Sequence, residues 1–362
     1  MSKAAELANL IGNINAGGGG VNRNVIINGA MNVAQRRTSA SSIGNETVFI
    51  LDRFLTTQGS SDGRFTMSQD SSAPSGFANS LKLDCTTADT SVAAGEFLIL
   101  RQTVEAQNCQ QFAKGTSDAK PFAVSFYVKG NASATYVCEL LADDVSRQIS
   151  QTFSVTTDWT RVELTFPADT TGVINDDNGA GLYLNIWLHA GSTYAGGTLN
   201  TTWNSLTQAN RAVGISSFFD STDRTFFITG VQLEVGQNPT EFEHEPFERT
   251  LAKCQRYFER ITFADEDYTP IVCYNESTSN ARGSLQYMVT KRADPTFSAT
   301  SNAFIAVSTG SNGSAVSLTS DKQTVTNARV LITNSNTTLV DGGASHIQAH
   351  VSSAQISLDS EL

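Results

Sequence analysis

The sequence predicts an all-β protein: a jelly-roll-like β-sandwich module and a smaller distal β domain, with a short N-terminal helix and one connecting helix. Three observations predict it. Apolar residues alternate with polar ones over strand-length runs, which puts one apolar face on a core. Ser, Thr, Asn and Gly replace charge: charged residues are 16% of the 362, below the usual quarter. Only two stretches carry a helical period. At 40% hydrophobic, the chain is long enough for two or three domains with their own cores.

The first helical stretch spans residues 1 to 16, where Leu7, Leu10, Ile11 and Ile14 follow the i, i+3, i+4, i+7 spacing. A helix this short does not hold alone in water, so it needs something to pack on. Residues 17 to 20 are all glycine, a hinge without fixed direction. Residues 1–20 therefore read as an anchoring helix on a tether.

Residues 21–245 read as the sandwich. Phe122, Val124, Phe126 and Val128 alternate with Ala123, Ser125, Tyr127 and Lys129. Val162, Leu164 and Phe166 alternate with Glu163 and Thr165, and Leu182, Leu184, Ile186 and Leu188 with Tyr183, Asn185, Trp187 and His189. A last strong strand covers residues 226–235. Turn signals separate these runs at Lys129-Gly130-Asn131, Asp176-Asp177-Asn178-Gly179 and Ala195-Gly196-Gly197. Antiparallel strands in this number suggest two sheets around one core.

Residues 246–260 switch to a helical stripe of Phe247, Leu251, Cys254 and Phe258, with Pro246 suited to the first turn. Residues 261–362 return to short strands, at 271–274, 283–289, 303–307 and 328–332. This region is polar for its size, so added burial from oligomerisation is expected.

An ordered set of motifs carries a resemblance. Asn24-Val25-Ile26-Ile27-Asn28-Gly29-Ala30-Met31-Asn32-Val33-Ala34-Gln35-Arg36 is followed by Leu51-Asp52-Arg53-Phe54. Val124 to Gly130 and Gly181 to Leu184 occupy the middle. Thr225 to Gly236, Thr240-Glu241-Phe242-Glu243-His244 and Cys254-Gln255-Arg256-Tyr257-Phe258 close it. Over roughly residues 22 to 260 the chain resembles a module of tail-fibre proteins of marine and other tailed bacteriophages. The resemblance implies a carbohydrate-binding-module-like sandwich on a virion, in a homotrimeric fibre made in the host cytoplasm. Three partners are expected: copies of the chain itself, a tail adaptor or portal-proximal protein at residues 1 to 20, and a host surface glycan or protein at the distal domain. A head-mounted fibre or decoration protein and a capsule or lipopolysaccharide depolymerase are the rival readings. The resemblance carries over no catalytic or ligand residue.

Composition excludes other partners. The net charge is −11, with 24 basic residues scattered among 35 acidic ones, whereas a nucleic-acid partner needs clustered cations. No run reaches the roughly 18 apolar residues of a membrane span, and no signal peptide is read at the N-terminus. Cys85, Cys109, Cys138, Cys254 and Cys273 are odd in number and unpaired by spacing, so buried reduced thiols are expected.

Chemistry is expected to be absent. The acidic neighbours Asp143-Asp144, Asp176-Asp177, Glu243/Glu245 and Asp265/Glu266/Asp267 read as solvated turns rather than a converging pair. No G-x-S-x-G elbow or H-E-x-x-H occurs. His346 and His350 read as ordinary histidines, and the Gly179 loop lacks the end ligands of a calcium site. No metal or cofactor is expected. Trp187, on the polar side of its strand, and Tyr194 and Trp203, in a Gly/Thr/Asn-rich loop, are candidate sugar-stacking side chains. Packing between trimer mates accounts for them equally well. The candidate anchor residues are Leu7, Leu10, Ile11 and Ile14.

Overall fold

The computed structural model describes residues 2–15, 22–308, 311–312, 316–333 and 339–362, and divides into two compact units, Met1–Thr250 with Leu362, and Leu251–Glu361. Among the described residues no helix is long and apolar enough to cross a membrane.

Helix α1 spans Lys3–Asn15 and is capped by Ser2, whose hydroxyl accepts the Ala5 N–H at 3.3 Å. The glycine run and the side chains of Leu10 and Ile14 lie outside the described residues.

The first unit then runs β1 (Ser39–Ile43), β2 (Thr47–Phe49), β3 (Leu55–Gly59), β4 (Arg64–Asp70), β5 (Ser80–Thr87) and β6 (Phe97–Glu105). After a 3-10 helix (Ala106–Phe112) come β7 (Phe122–Gly130), β8 (Ala134–Ala142), β9 (Arg147–Val155), β10 (Thr160–Phe166) and β11 (Ala180–Ala190). A short helix α2 (Ser192–Ala195), β12 (Asn204–Ser205) and β13 (Thr225–Val235) complete it. Two antiparallel sheets form, ordered β1-β4-β5-β13-β7-β10 and β12-β9-β8-β11-β6-β3-β2. Both contribute to one core, where the predicted stripes Phe122/Val124/Phe126/Val128 and Leu182/Leu184/Ile186/Leu188 meet. The period-2 pattern is satisfied because each stripe faces the opposite sheet.

The family-like motifs turn out to be polar clasps. Residues 24–31 form no strand. Asn28 has φ 62° and sends its side-chain amide to Val33 O and Asp52 O, at 2.9 and 3.0 Å. A Cβ on Gly29 would stand 2.1 Å from Val231 O, so only glycine lets this turn approach β13. Asp52 and Arg53 are buried. Asp52 accepts the Gln35 N–H at 3.0 Å, and Arg53 donates to Thr103 O. Gln232 and Glu234, on the polar side of β13, are buried as well. Residues 240–243 fold over them: Thr240 N–H donates to Glu234 at 2.7 Å, Glu243 N–H donates to Gln232 at 2.8 Å, and Arg23 pairs with Glu234 at 3.3 Å. A polar strand face can be buried when its groups are all hydrogen-bonded.

Helix α3 spans Phe247–Gln255, shorter than the expected 246–260. Tyr257 N–H closes a turn onto Cys254 O at 2.9 Å, and Phe258 then enters a strand. Sheet pairing takes over from the helical stripe there, and Phe247 stays exposed.

The second unit contains β14 (Phe258–Thr262), β15 (Tyr268–Asn275), β16 (Ala281–Gln286), β17 (Thr296–Ala299), β18 (Phe304–Ser308), β19 (Ser311–Asn312), β20 (Leu318–Gln323), β21 (Asn327–Ile332), β22 (Ala344–Ala349) and β23 (Gln355–Asp359). Its sheets are β14-β23-β17 and β19-β18-β22-β15-β16-β21-β20. It has its own core, including Phe263, Ile271, Leu285, Phe304, Val330 and Ile347. An ion pair of Lys291 with Glu259, nearly free of solvent, is embedded beside it.

All five cysteines are buried thiols outside any disulfide. Burial pushes the Cys85 thiol up to about 11 and those of Cys109 and Cys273 up to about 12, so the reactive thiolate is suppressed.

Candidate functional site

The outer face of the seven-stranded sheet, turned away from the core, carries the most developed polar cluster of the first unit. Cross-strand register builds it in rows. Arg101 on β6 lies between Leu55 on β3 and Asn185 on β11, and Asn185 faces Glu139 on β8. In the next row Thr57, Ile99, Trp187 and Val137 stand side by side. The segment after β11 folds back over this face and adds Tyr194 and Arg211. Thr57, Phe97, Ile99, Arg101, Trp187, Tyr194 and Arg211 line an open groove of about 230 Å³.

Glu139 is fully buried and organises the floor. Its Oε1 accepts Arg211 Nε at 2.8 Å. Its Oε2 accepts Arg211 Nη2 at 2.8 Å, Asn185 Nδ2 at 2.8 Å and Trp187 Nε1 at 2.9 Å. This is the bidentate fork that a guanidinium and a carboxylate form best. Arg211 also lies 4.7 Å from the Trp187 ring centroid and donates to Gln208 at 3.1 Å. Asn185 passes the network on by accepting Arg101 Nε at 2.7 Å. The Arg101 guanidinium rests 4.3 Å from the Tyr183 ring centroid.

Aromatic rings form the rim. Tyr194 meets Trp187 at 5.3 Å and Phe97 at 5.4 Å between centroids. Phe97 lies flat over Gly59, where a Cβ would come within 2.4 Å of its ring. Phe97 and Tyr194 are partly exposed and pack against a small apolar cluster of Ile99, Val137, Trp187 and Ala212.

The three candidate stacking residues are separated by this arrangement. Trp187 has no exposed surface and supports the groove from beneath. Tyr194 stands at the rim. Trp203 is elsewhere: it plugs the sandwich beside Phe122 and gives its indole N–H to Pro167 O at 2.8 Å. Burial within a single chain removes Trp187 and Trp203 as open platforms. Of the anchor candidates, Leu7 and Ile11 are exposed at 57% and 49%.

Sequence reasoning missed Phe97, Arg101, Glu139, Asn185 and Arg211. A signal was present in β8, where Glu139 interrupts Tyr136-Val137-Cys138 and Leu140-Leu141-Ala142. A lone carboxylate inside an apolar run implies a buried partner.

A second cluster borders the groove. His189 Nδ1 is 2.8 Å from Ser217 Oγ, and Nε2 is 3.0 Å from Glu96 Oε2. A serine, a histidine and a carboxylate thus meet, as nucleophilic hydrolysis needs. Here the imidazole has no exposed surface, Phe219 packs on it at 5.2 Å, and Ser217 Oγ already accepts the Phe219 N–H at 3.0 Å. The cluster ties β11 to the loop that follows it.

The acidic neighbours are spent in turns. Asp144 holds Asn175, Asp177 accepts the Gly179 N–H, Glu243 accepts the Asn22 and Asn24 N–H groups, and Asp267 accepts the Ala264 N–H. Among the described residues no three His, Cys, Asp or Glu side chains converge as a metal site.

The first unit is therefore a β-sandwich with a groove on one outer face. No family model matches the chain, and no curated protein does. Solved structures are similar over part of the chain. A CBM4 structure is 12% identical, with 57% of this chain and 97% of that one covered and a TM-score of 0.30. A putative sugar-binding protein from Bacteroides thetaiotaomicron is 12% identical over 59% of this chain and 100% of its own, with a TM-score of 0.31. The enzymatically active domain of bacteriophage CBA120 tailspike protein 4 is 13% identical over 59% of this chain and 21% of its own, with a TM-score of 0.30. At these identities and scores the matches assign the chain neither a family nor a ligand.

Proposed function

We propose that the chain is a structural subunit of a tailed-phage fibre that binds a host surface glycan in this groove and carries no reaction. The groove itself carries the reading. Two partly exposed aromatic rings line it beside polar groups held fixed by a buried carboxylate, and sugars are recognised by that pairing of apolar ring and preset hydrogen bonds. The expected result concerns an array of bacterial surface polysaccharides probed with the intact protein. Tyr194→Ala should weaken retention about fivefold to tenfold on those the parent chain holds, since an aromatic stack is worth about 1 kcal/mol beyond its area. Undiminished retention by Tyr194→Ala would place binding elsewhere, and no retention by the parent chain would end the reading.

The absence of a reaction is supported by how the acids are used. Glu139 accepts four hydrogen bonds, which fills the lone-pair sites of a carboxylate and leaves none to face a substrate. Ser217 is expected to remain unlabelled by a fluorophosphonate probe on the folded protein. Labelling that disappears in Ser217→Ala would show a live nucleophile and overturn this part of the proposal.

Homotrimerisation and N-terminal anchoring to a tail adaptor belong to the same proposal. Leu7 and Ile11 on α1 lack cover, and so do Tyr268, Val272 and Tyr274, which run along the outer face of the central strand β15 at 67%, 69% and 60% exposure. Copies of the chain would cover that stripe. A chain lacking residues 1 to 16 is expected to sediment at three times its own mass and to stay out of particles. A monomer would remove the trimer, and incorporation into particles would remove the anchor.

A further inference from the structure

The groove holds more positive charge than it neutralises. Two guanidiniums, Arg101 and Arg211, face one carboxylate, Glu139, and Arg211 takes both of its oxygens. Among the described residues no carboxylate lies within ion-pair distance of Arg101. Its one hydrogen bond is from Nε to the Asn185 side chain, so both terminal nitrogens are left without a protein acceptor. Asp143 is exposed and engaged with the Tyr183 hydroxyl.

This is an expensive way to place an arginine. Burial pulls the Arg101 guanidinium down from its ordinary value and the like charge of Arg211 adds to that, against smaller opposing contributions from Tyr183, Glu139 and Asp143. Tyr183 beneath it and Asn185 beside it fix the plane of the fork, so its two open N–H edges are preset rather than searching. A guanidinium held this way matches a planar anion with two oxygens, which it binds in bidentate fashion. Phe97, Ile99 and Tyr194 supply an apolar wall for a ring next to it.

The geometry points to an acidic sugar as the ligand, its carboxylate on Arg101 and its ring against Tyr194 and Phe97. This rests on the glycan-binding reading and narrows it to a charged class. Arg211 takes no direct part, because its charge is already matched by Glu139; its role is to hold the Trp187 and Tyr194 side of the groove.

The test uses the full chain with uronic-acid oligosaccharides and the same oligosaccharides after carboxyl reduction to neutral sugars, followed by calorimetric titration. Charge-assisted hydrogen bonds contribute roughly 1.5–3 kcal/mol, so carboxyl reduction is expected to weaken binding tenfold or more. Arg101→Gln should weaken binding of the acidic form by a similar factor and so remove most of the difference between the acidic and the reduced forms. Arg101→Lys, which keeps the charge and loses the fork, should fall between. Equal binding of acidic and reduced forms overturns the acidic class while leaving a neutral-glycan groove standing. Binding of neither form, together with an empty polysaccharide array, overturns both. Should Arg101→Gln fail to fold, the comparison of acidic and reduced ligands on the parent chain still decides.

Discussion

Glu139→Ala is expected to destabilise the first unit by about 3–5 kcal/mol, the usual cost of leaving a buried charge without its partner. Arg211 is 7% exposed and would lose both hydrogen bonds of its fork. Asn185 and the Trp187 indole would each be left with a buried donor and no acceptor, which adds to the loss. For a unit of this size that shift lowers the melting temperature by about 10 °C or more, readable by calorimetry as a move of one transition. The decisive comparison is with the pair replaced together. Glu139→Leu with Arg211→Met removes both charges at once, and apolar substitution of a buried pair is often close to neutral. The double variant should recover about 2 kcal/mol or more of what Glu139→Ala loses, while binding no glycan because the groove wall is gone. Equal instability in both variants would mean that packing, not charge, holds this face together.

The core was readable in the sequence and the groove was not, for one physical reason. Leu182, Leu184, Ile186 and Leu188 announce their inward face because every second residue is apolar, and the structure places all four in one core. The outer face of the same strand reads Tyr183, Asn185, Trp187, His189, which alternation assigns to solvent. Three of those four are buried, because residues 191 to 219 return across the sheet. That crossing depends on contacts far apart in sequence, such as Arg211 with Glu139, and no local period encodes them. The same limit applies to Asp52, Gln232 and Glu234, polar residues buried beneath chain segments distant in sequence. In the second unit the strands at 271–274 and 328–332 were legible from alternation. β23 was not: its Gln355 to Asp359 segment is sandwiched between β14 and β17, and pairing on both edges compensates for modest apolar content.

Asp169→Asn should show the largest pH-dependent effect. Asp169 is 5% exposed and gathers two cations: Lys114 Nζ lies 3.0 Å from its Oδ2, and Arg147 spans both oxygens at 2.8 and 3.0 Å. Burial alone would push the carboxyl up. Hydrogen bonds from Arg147, Lys114 and the Thr171 N–H overcome it, and the carboxyl settles below its ordinary value. Burial also pulls the Lys114 ammonium down, with Asp169 opposing it, so that ammonium depends on this one carboxylate. A group whose folded value is depressed stabilises above its unfolded value, about 3.9 for Asp, and that contribution is lost as pH falls through the lower folded value. At pH 7 the variant should therefore be about 3 kcal/mol less stable than the parent chain, since it strands a fully buried ammonium. Denaturant titrations at successively lower pH should show the gap constant down to about pH 5 and closing below about pH 4. A gap that persists undiminished at pH 2 would mean that Asp169 acts through its shape and not its charge, and that the Lys114, Arg147 and Trp203 corner is held by packing alone.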